Sequence, residues 1–226
     1  MFNSKFRQGA FTSVELLEGN KVGYWAVPEK CKKIFVALAG GGGGGGSGRR
    51  AAAGGQRNGG AGGASGMFVC ATFSAYVLPK EIYFKVGLGG AGGAARSTNT
   101  NGLAGSAGTD SEFYILRAYG GNGGAGGTST TNNGGAALER QWDWMQRKCS
   151  TFAGAAASAS GTTGVSITCS DFYMPLGGAS GGGMDVSNNV YGGGSSSYST
   201  ASSLIIANDL ALPPAGLGAA AGGLGG

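Results

Sequence analysis

No histidine occurs among the 226 residues, and the four cysteines, Cys31, Cys70, Cys149 and Cys169, show no CxxC spacing. Histidine is the commonest general base and a standard zinc ligand, so the usual hydrolytic pairs and Cys-His metal sites have nothing to be built from. The eleven acidic residues are scattered without a recognisable constellation, and no Gly-Lys dipeptide exists to form a Walker A loop. Matches to GxGxxG arise in glycine runs by composition alone and carry no weight. The expectation is a protein that is not an enzyme and has neither metal nor cofactor, its cysteines being buried free thiols of a chain folded in a reducing cytoplasm. What remains is the chemistry of contact. Trp, Tyr and Arg supply large contact area at low entropic cost. Outside the strands they concentrate at Trp142, Trp144 and Arg147, and then at Tyr173, Tyr191 and Tyr198 in Ser/Gly-rich loops. These six are the candidate binding residues. Of the two tryptophans Trp144 is preferred, because Trp142 shares an apolar face with Leu138, Met145 and Cys149.

Charge narrows the partners. The net charge is +5, but all sixteen Lys and Arg lie between Lys5 and Lys148, and only Asp171, Asp185 and Asp209 follow. Apart from residues 30–33 and Arg49-Arg50 there is no dense basic tract, which argues against nucleic-acid binding and for an anionic surface or partner. Charged residues are 12% of the chain against a usual ~25%, while 41% is hydrophobic. Disordered chains show the reverse, so an ordered, low-charge fold is expected. No stretch approaches the ~20 apolar residues of a membrane span, no apolar signal segment is evident, and no Asn-x-Ser/Thr acceptor occurs.

The element that must position these residues is unusual. Glycine supplies 51 of 226 residues, and residues 40–46 are seven in a row. Three further blocks, 59–64, 89–94 and 120–128, place the non-glycine residue at every third position: 61 and 64; 91 and 94; 122, 125 and 128. A period of three is neither that of an α-helix nor of a strand. It is that of a left-handed, polyproline II-type helix, which has no internal hydrogen bonds. Its backbone groups must then find partners on neighbouring segments, and glycine on two faces lets those segments approach. The blocks are therefore expected to be polyglycine II-type helices packed side by side, with Gly92→Val more damaging than Ala91→Val. A flexible linker is the competing reading of any glycine-rich stretch. The triplet register kept in three blocks, and the strands that feed three of the four, speak against it. Collagen is excluded, since it needs abundant proline and the chain has 5, none inside a block.

Those strands are read at Phe11 to Leu17, at Tyr24 to Pro28, at Lys33 to Ala39, and at Met67 to Phe73 with Ala75 to Leu78. Two more are Ile82 to Leu88, with Ile82, Phe84, Val86 and Leu88 inward and Lys85 outward, and Phe113 to Tyr119. Apolar residues at i, i+4, i+7 and i+11 suggest a short amphipathic helix over 137–148. Later strands are read at Val165 to Cys169 and Ser203 to Ala207. The fold class is mainly β: a small antiparallel β-framework with packed polyglycine II-type helices and few or no α-helices. Three regions are expected, an N-terminal arm or attachment segment (1–20), a glycine-rich β/polyglycine domain (21–136) and a Ser/Ala/Gly-rich region with display loops (137–226).

The run Trp25-Ala26-Val27-Pro28, followed by Ile34-Phe35-Val36 and the glycine run at 40, resembles the glycine-rich domain of bacteriophage tail-fibre and adhesin proteins. Lys80 to Gly90 and Gly105 to Phe113 extend the resemblance, which covers about residues 21–136. Lys30-Cys31 departs from it, where that family usually has Gly-Val after the proline turn. The resemblance implies a tail-fibre or tail-tip protein of the virion that attaches the particle to the host surface and is assembled in the bacterial cytoplasm. It further implies other tail proteins as partners, a host surface polysaccharide or outer-membrane protein as receptor, self-association as a trimer, and the six aromatic and arginine candidates as receptor-binding residues. The alternative is a purely structural virion subunit of a fibre, baseplate or decoration. An ice-binding bundle would need a flat Thr/Ala face, which the bulky aromatics and scattered charges contradict.

Overall fold

The computed structural model of the chain describes residues 15, 17–130, 134–135, 148–150, 153–159, 161–169, 177–198, 204–206 and 210–212. Alternating and doubly apolar runs near the start give two antiparallel sheets. One has the order β1 (Val22–Ala26), β4 (Glu81–Lys85), β5 (Ser111–Phe113), β6 (Leu116–Ala118); the other joins β2 (Lys33–Ala39), β3 (Phe68–Ser74) and β7 (Lys148–Ser150). Further on, β8 (Ile167–Cys169) pairs in parallel with β9 (Ser196–Tyr198), and β10 (Leu204–Ile206) pairs antiparallel with β11 (Leu210–Leu212). The helical element among the described residues is one 3-10 turn, Ala75–Val77. The protein is mainly β.

The core follows from β3, whose two faces are both apolar. Val69, Ala71 and Phe73 alternate onto one side, where they pack with Met67, with Leu116 and Ala118 of β6, and with Val36, Leu38, Leu78 and Tyr119. Phe68 points to the other side, against Phe35, Ala37, Ala39 and Cys70. Each such large side chain removed from water contributes about 1.5–3 kcal/mol. In the first sheet Ile82 is fully buried, Trp25 tilts against Phe113 at 5.8 Å between ring centroids, and Trp25 Nε1 donates to Glu15 at 2.6 Å. The outer face of that sheet carries Tyr24 edge-on to Tyr83, with Tyr24 71% exposed.

Several strands end differently from the sequence expectation. Within the strand expected over Ala75 to Leu78, Ala75–Val77 is a 3-10 turn and Leu78 its C-cap. The strand expected to run to Leu88 stops at Lys85, and Leu88 is 45% exposed rather than inward. Phe113 to Tyr119 is a hairpin and not a single strand: Tyr114 adopts φ 55°, the chain reverses at Tyr114-Ile115, and Phe113 pairs with Leu116. The reversal allows Phe113, Leu116 and Ala118 all to be buried, which a straight strand would prevent by sending 113 and 116 to opposite faces. Of the expected helix over 137–148 only Lys148 falls among the described residues, where it opens β7. The strand expected over Phe11 to Leu17 lies largely outside them.

Beyond β2 the chain leaves the sheets and enters the glycine run, and here the backbone bonds recur at every third residue. The amides of Gly40, Gly43, Gly46 and Arg49 donate to the carbonyls of Met67, Ala64, Ala61 and Asn58. Those of Gly41, Gly44, Ser47 and Arg50 donate to Thr109, Ser106, Leu103 and Thr100. In the opposite sense, Gly121, Gly124 and Gly127 donate to Gly41, Gly44 and Ser47, and Gly90 and Gly93 donate to Gly42 and Gly45. The glycine run is thus surrounded by four other segments, and the triplet recurrence of the sequence reappears as a triplet recurrence of bonds, all 2.8–3.1 Å long. Residues past 136 join the same arrangement, with Ala155 accepting from Gly62, and Gly178 and Gly181 donating to Gly63 and Gly60.

Close approach explains the glycines. A Cβ on Gly41 or Gly44 would overlap the carbonyls of Leu88 or Ala91, and one on Gly43 or Gly46 those of Asn122 or Ala125. Gly92 is not among these crowded positions, contrary to the expectation that Gly92→Val would be far worse than Ala91→Val. Its Cβ would meet nothing closer than the Gly45 carbonyl at 3.6 Å, an ordinary contact, and Ala91 and Gly92 are both exposed. Residues 88–94 lie at the margin of the bundle, so the crowded positions there are Gly90 and Gly93. The junction with the sheets is pinned by Ser111, whose buried hydroxyl donates to the Ala39 carbonyl at 2.6 Å and accepts from the Gly87 amide at 2.8 Å.

Candidate functional site

Bond directions fix where the connections fall. Residues 40–50 run away from β2 and 58–67 return antiparallel to β3; 88–95 run out from β4, 100–109 return to β5, and 119–127 run out from β6. Residues 178–184 run out beside 57–63, while 162–167 and 191–195 run back along them. The connections 50–57, 96–101 and 184–191, with residues 128–130 and 161–163, therefore gather at the end of the bundle opposite the β1–β6 framework.

The most fully tied of these connections is residues 184–191. Met184 bridges to both Arg57 and Val190, and Asn188 sits at φ 68°, a left-handed conformation that Asn tolerates better than most residues. The Asp185 carboxylate accepts from the amides of Ser187 and Asn189 at 2.9 and 2.8 Å, from Asn189 Nδ2 at 2.9 Å and from the Tyr191 hydroxyl at 3.2 Å. Bonds to the charged form favour it, so Asp185 titrates below the usual carboxylate range, chiefly through the Asn189 side chain and then its amide. The same contact, through the hydrogen bond first and the charge of Asp185 second, raises the Tyr191 phenol.

Arginines tie this loop to its neighbours. Arg57, only 5% exposed, donates through Nη2 to the Ala52 carbonyl and to Asn188 Oδ1, both at 2.8 Å, and through Nη1 to the Met184 sulfur. Arg49 Nη1 donates to the Gln56 carbonyl at 2.8 Å. The Nε atoms of Arg49 and Arg57 are buried without a hydrogen-bond partner. Arg50 Nη1 reaches the Arg96 carbonyl at 3.4 Å, and Arg96 Nε donates to the Asn101 carbonyl at 2.8 Å. Every acceptor is neutral. The ion pairs among the described residues belong to Arg117, with Asp110 and Glu112 in the β-framework, where the bond to Asp110 raises the guanidinium pKa.

Of the six residues singled out from the sequence, Tyr191 is at this end, half-buried and with its hydroxyl committed to Asp185. Tyr198 lies in β9, paired with Cys169 of β8, away from Tyr191. Trp142, Trp144, Arg147 and Tyr173 lie outside the described residues. Sequence reasoning noted Arg49-Arg50 only as a short basic tract and passed over Arg57 and Arg96. Their signal was positional: each flanks a glycine block, where the bundle ends and the chain must turn. No group of three or more His, Cys, Asp or Glu suited to a metal occurs among the described residues, and the Cys31 thiol donates to the Lys33 carbonyl at 3.2 Å. No helix among them is long and apolar enough to cross a membrane.

A family model described as a glycine-rich domain matches residues 18–226, and the chain belongs to that family. No curated protein matches it.

Proposed function

We propose that this member of the glycine-rich domain family is a tail-fibre or tail-tip protein of a bacteriophage virion, one that attaches the particle to its host. The observation that carries the reading is the gathering of five segments at one end of a bundle held by regular backbone bonds. A scaffold of this kind offers almost no side-chain chemistry along its length, so binding falls to the loops it displays. On this reading the glycine segments are polyglycine II helices, whose three-residue turn accounts for bonds at every third residue to several neighbours. The role asks for no catalysis. The partners are a polysaccharide or outer-membrane protein of the host at the loop end and another tail protein at the strand end. There Tyr24 and Tyr83 stack on an outward sheet face, and Tyr76 stands 80% exposed.

Those outward tyrosines also favour the second reading, a structural virion subunit held by its neighbours without receptor contact. Competition separates the two. Purified protein added to host cells should block adsorption of phage carrying it. Trp144→Ala should weaken the block without lowering the melting temperature. If the protein does not bind cells while its deletion prevents particle assembly, the structural reading replaces this one.

A further inference from the structure

We infer that the loop end is an anion-binding site that takes the carboxylate or phosphate groups of an acidic polysaccharide, with Arg50 and Arg96 as its primary ligands. The inference rests on the adhesin reading for its biological setting, and on unneutralised charge for its chemistry. Four guanidinium groups, those of Arg49, Arg50, Arg57 and Arg96, bond carbonyls of the turns 50–57 and 96–101, and none pairs with a carboxylate among the described residues. The acid of this end among the described residues, Asp185, already accepts four hydrogen bonds within its own loop. Arg57 is buried, and buried guanidinium groups are ordinarily paired because an isolated charge is costly to desolvate. Two buried Nε atoms without partners point the same way. The end thus has an excess of positive charge that the described residues do not answer.

The arginines divide by role. Arg49 and Arg57 spend their terminal nitrogens on the 50–57 turn and on Asn188, so they hold the loops and contribute field. Arg50 is exposed, with one long bond at 3.4 Å, and Arg96 uses only Nε, so both Nη atoms of Arg96 and Nε and Nη2 of Arg50 remain to form the planar fork that suits carboxylate or phosphate. The loop under them, Ser97 to Asn101, is exposed and made of hydroxyl and amide side chains, which match sugar hydroxyls rather than an acyl chain. An extended nucleic-acid track would instead need basic residues spread along a face, with aromatics for stacking.

The test is titration calorimetry of the full chain with polygalacturonate, inorganic phosphate and a DNA duplex, at low and at physiological salt. Polygalacturonate or phosphate should bind, more weakly as salt rises, and Arg50→Gln/Arg96→Gln should weaken that binding at least tenfold with an unchanged melting temperature. Arg50→Lys/Arg96→Lys, which keeps the charge but loses the fork, should fall between. Lys33→Gln/Lys80→Gln removes the same charge at the strand end and should leave binding intact. An equal loss in that control, tighter binding of DNA, or no binding of either acidic probe overturns the inference. If the protein adsorbs to cells and the arginine variant adsorbs equally well, the inference fails while the adhesin reading stands. If the anions bind as expected and cells are not bound, the adhesin reading fails and the site stands.

Discussion

Gly44 is the position at which the packing argument is most exposed to test. Its amide donates to Ser106 and its carbonyl accepts from Gly124, each at 2.9 Å, while a Cβ would collide with the Ala91 carbonyl. That carbonyl is backbone and itself accepts from the Ser106 amide at 2.8 Å, so it cannot swing aside as a side chain would. Gly44→Ala therefore forces a segment outward. Overpacking costs about 1–3 kcal/mol, and each buried backbone group left without its partner costs about 1–3 kcal/mol more, so a loss of roughly 3–6 kcal/mol is expected with one or two bonds broken. Gly92 carries the opposite expectation. Its φ lies outside the left-handed region and its Cβ position is open, so Gly92→Ala should stabilise by about 0.4–1 kcal/mol through the unfolded chain. For a domain of this size 1 kcal/mol moves the melting temperature by about 2–4 °C. Calorimetry should then find Gly44→Ala lowered by at least about 6 °C and Gly92→Ala unchanged or slightly raised. Equal effects, or a Gly44→Ala protein within about 0.5 kcal/mol of wild type, would refute close backbone approach as the reason for the glycines.

Two further outcomes follow from single side chains. Ser111→Ala removes the acceptor of the half-buried Gly87 amide and the donor to Ala39, and should cost about 1–3 kcal/mol in denaturant unfolding, whereas Ser111→Thr, which keeps a hydroxyl, should recover part of it. Asp185 has its folded-state pKa lowered, so its stabilisation of residues 184–191 is present above the ordinary Asp value of about 3.9 and lost as pH falls through the lower folded value. Amide exchange at Ser187 and Asn189 should accelerate there in the wild type and show no such step in Asp185→Asn; matching profiles would remove Asp185 as the holder of the loop.

Much of this architecture was legible because glycine blocks declare themselves. A residue type that appears at two of three positions has few reasons to do so other than crowding on two faces, and the bonds from residues 40–50 to four neighbours bear the triplet out. Less legible was which segment lies inside. Blocks 59–64 and 89–94 follow the same pattern, yet residues 57–69 are all buried while 88, 89, 91, 92 and 94 are exposed, because a local repeat says nothing of how many neighbours surround it. The hairpin at Tyr114-Ile115 was hidden for a different reason: its turn residues are as apolar as strand residues and carry no Gly, Asn or Pro to mark the reversal. At the candidate site the aromatic rule found Tyr191 but not the arginines, which touch one another's loops only after five separate segments have been brought to one end.

The seven consecutive glycines at 40–46 have one more consequence, for how the chain finds its alignment. A homopolymer carries no mark by which one register differs from the next, so the run cannot by itself choose which carbonyl each amide meets. The choice passes to its flanks: to β2, locked residue by residue against β3 from Lys33–Ser74 to Ala39–Phe68, and to Ser47, whose hydroxyl accepts from the Leu103 amide at 2.8 Å while its own amide donates to the Leu103 carbonyl. An inserted or deleted single glycine would be absorbed silently within the run and felt only at Ser47 and Arg49, turned off their partners. Three inserted together would restore both to their faces and lengthen the arm by one repeat of the bond pattern. Variation in the reach of the loop end is therefore expected to come in steps of three.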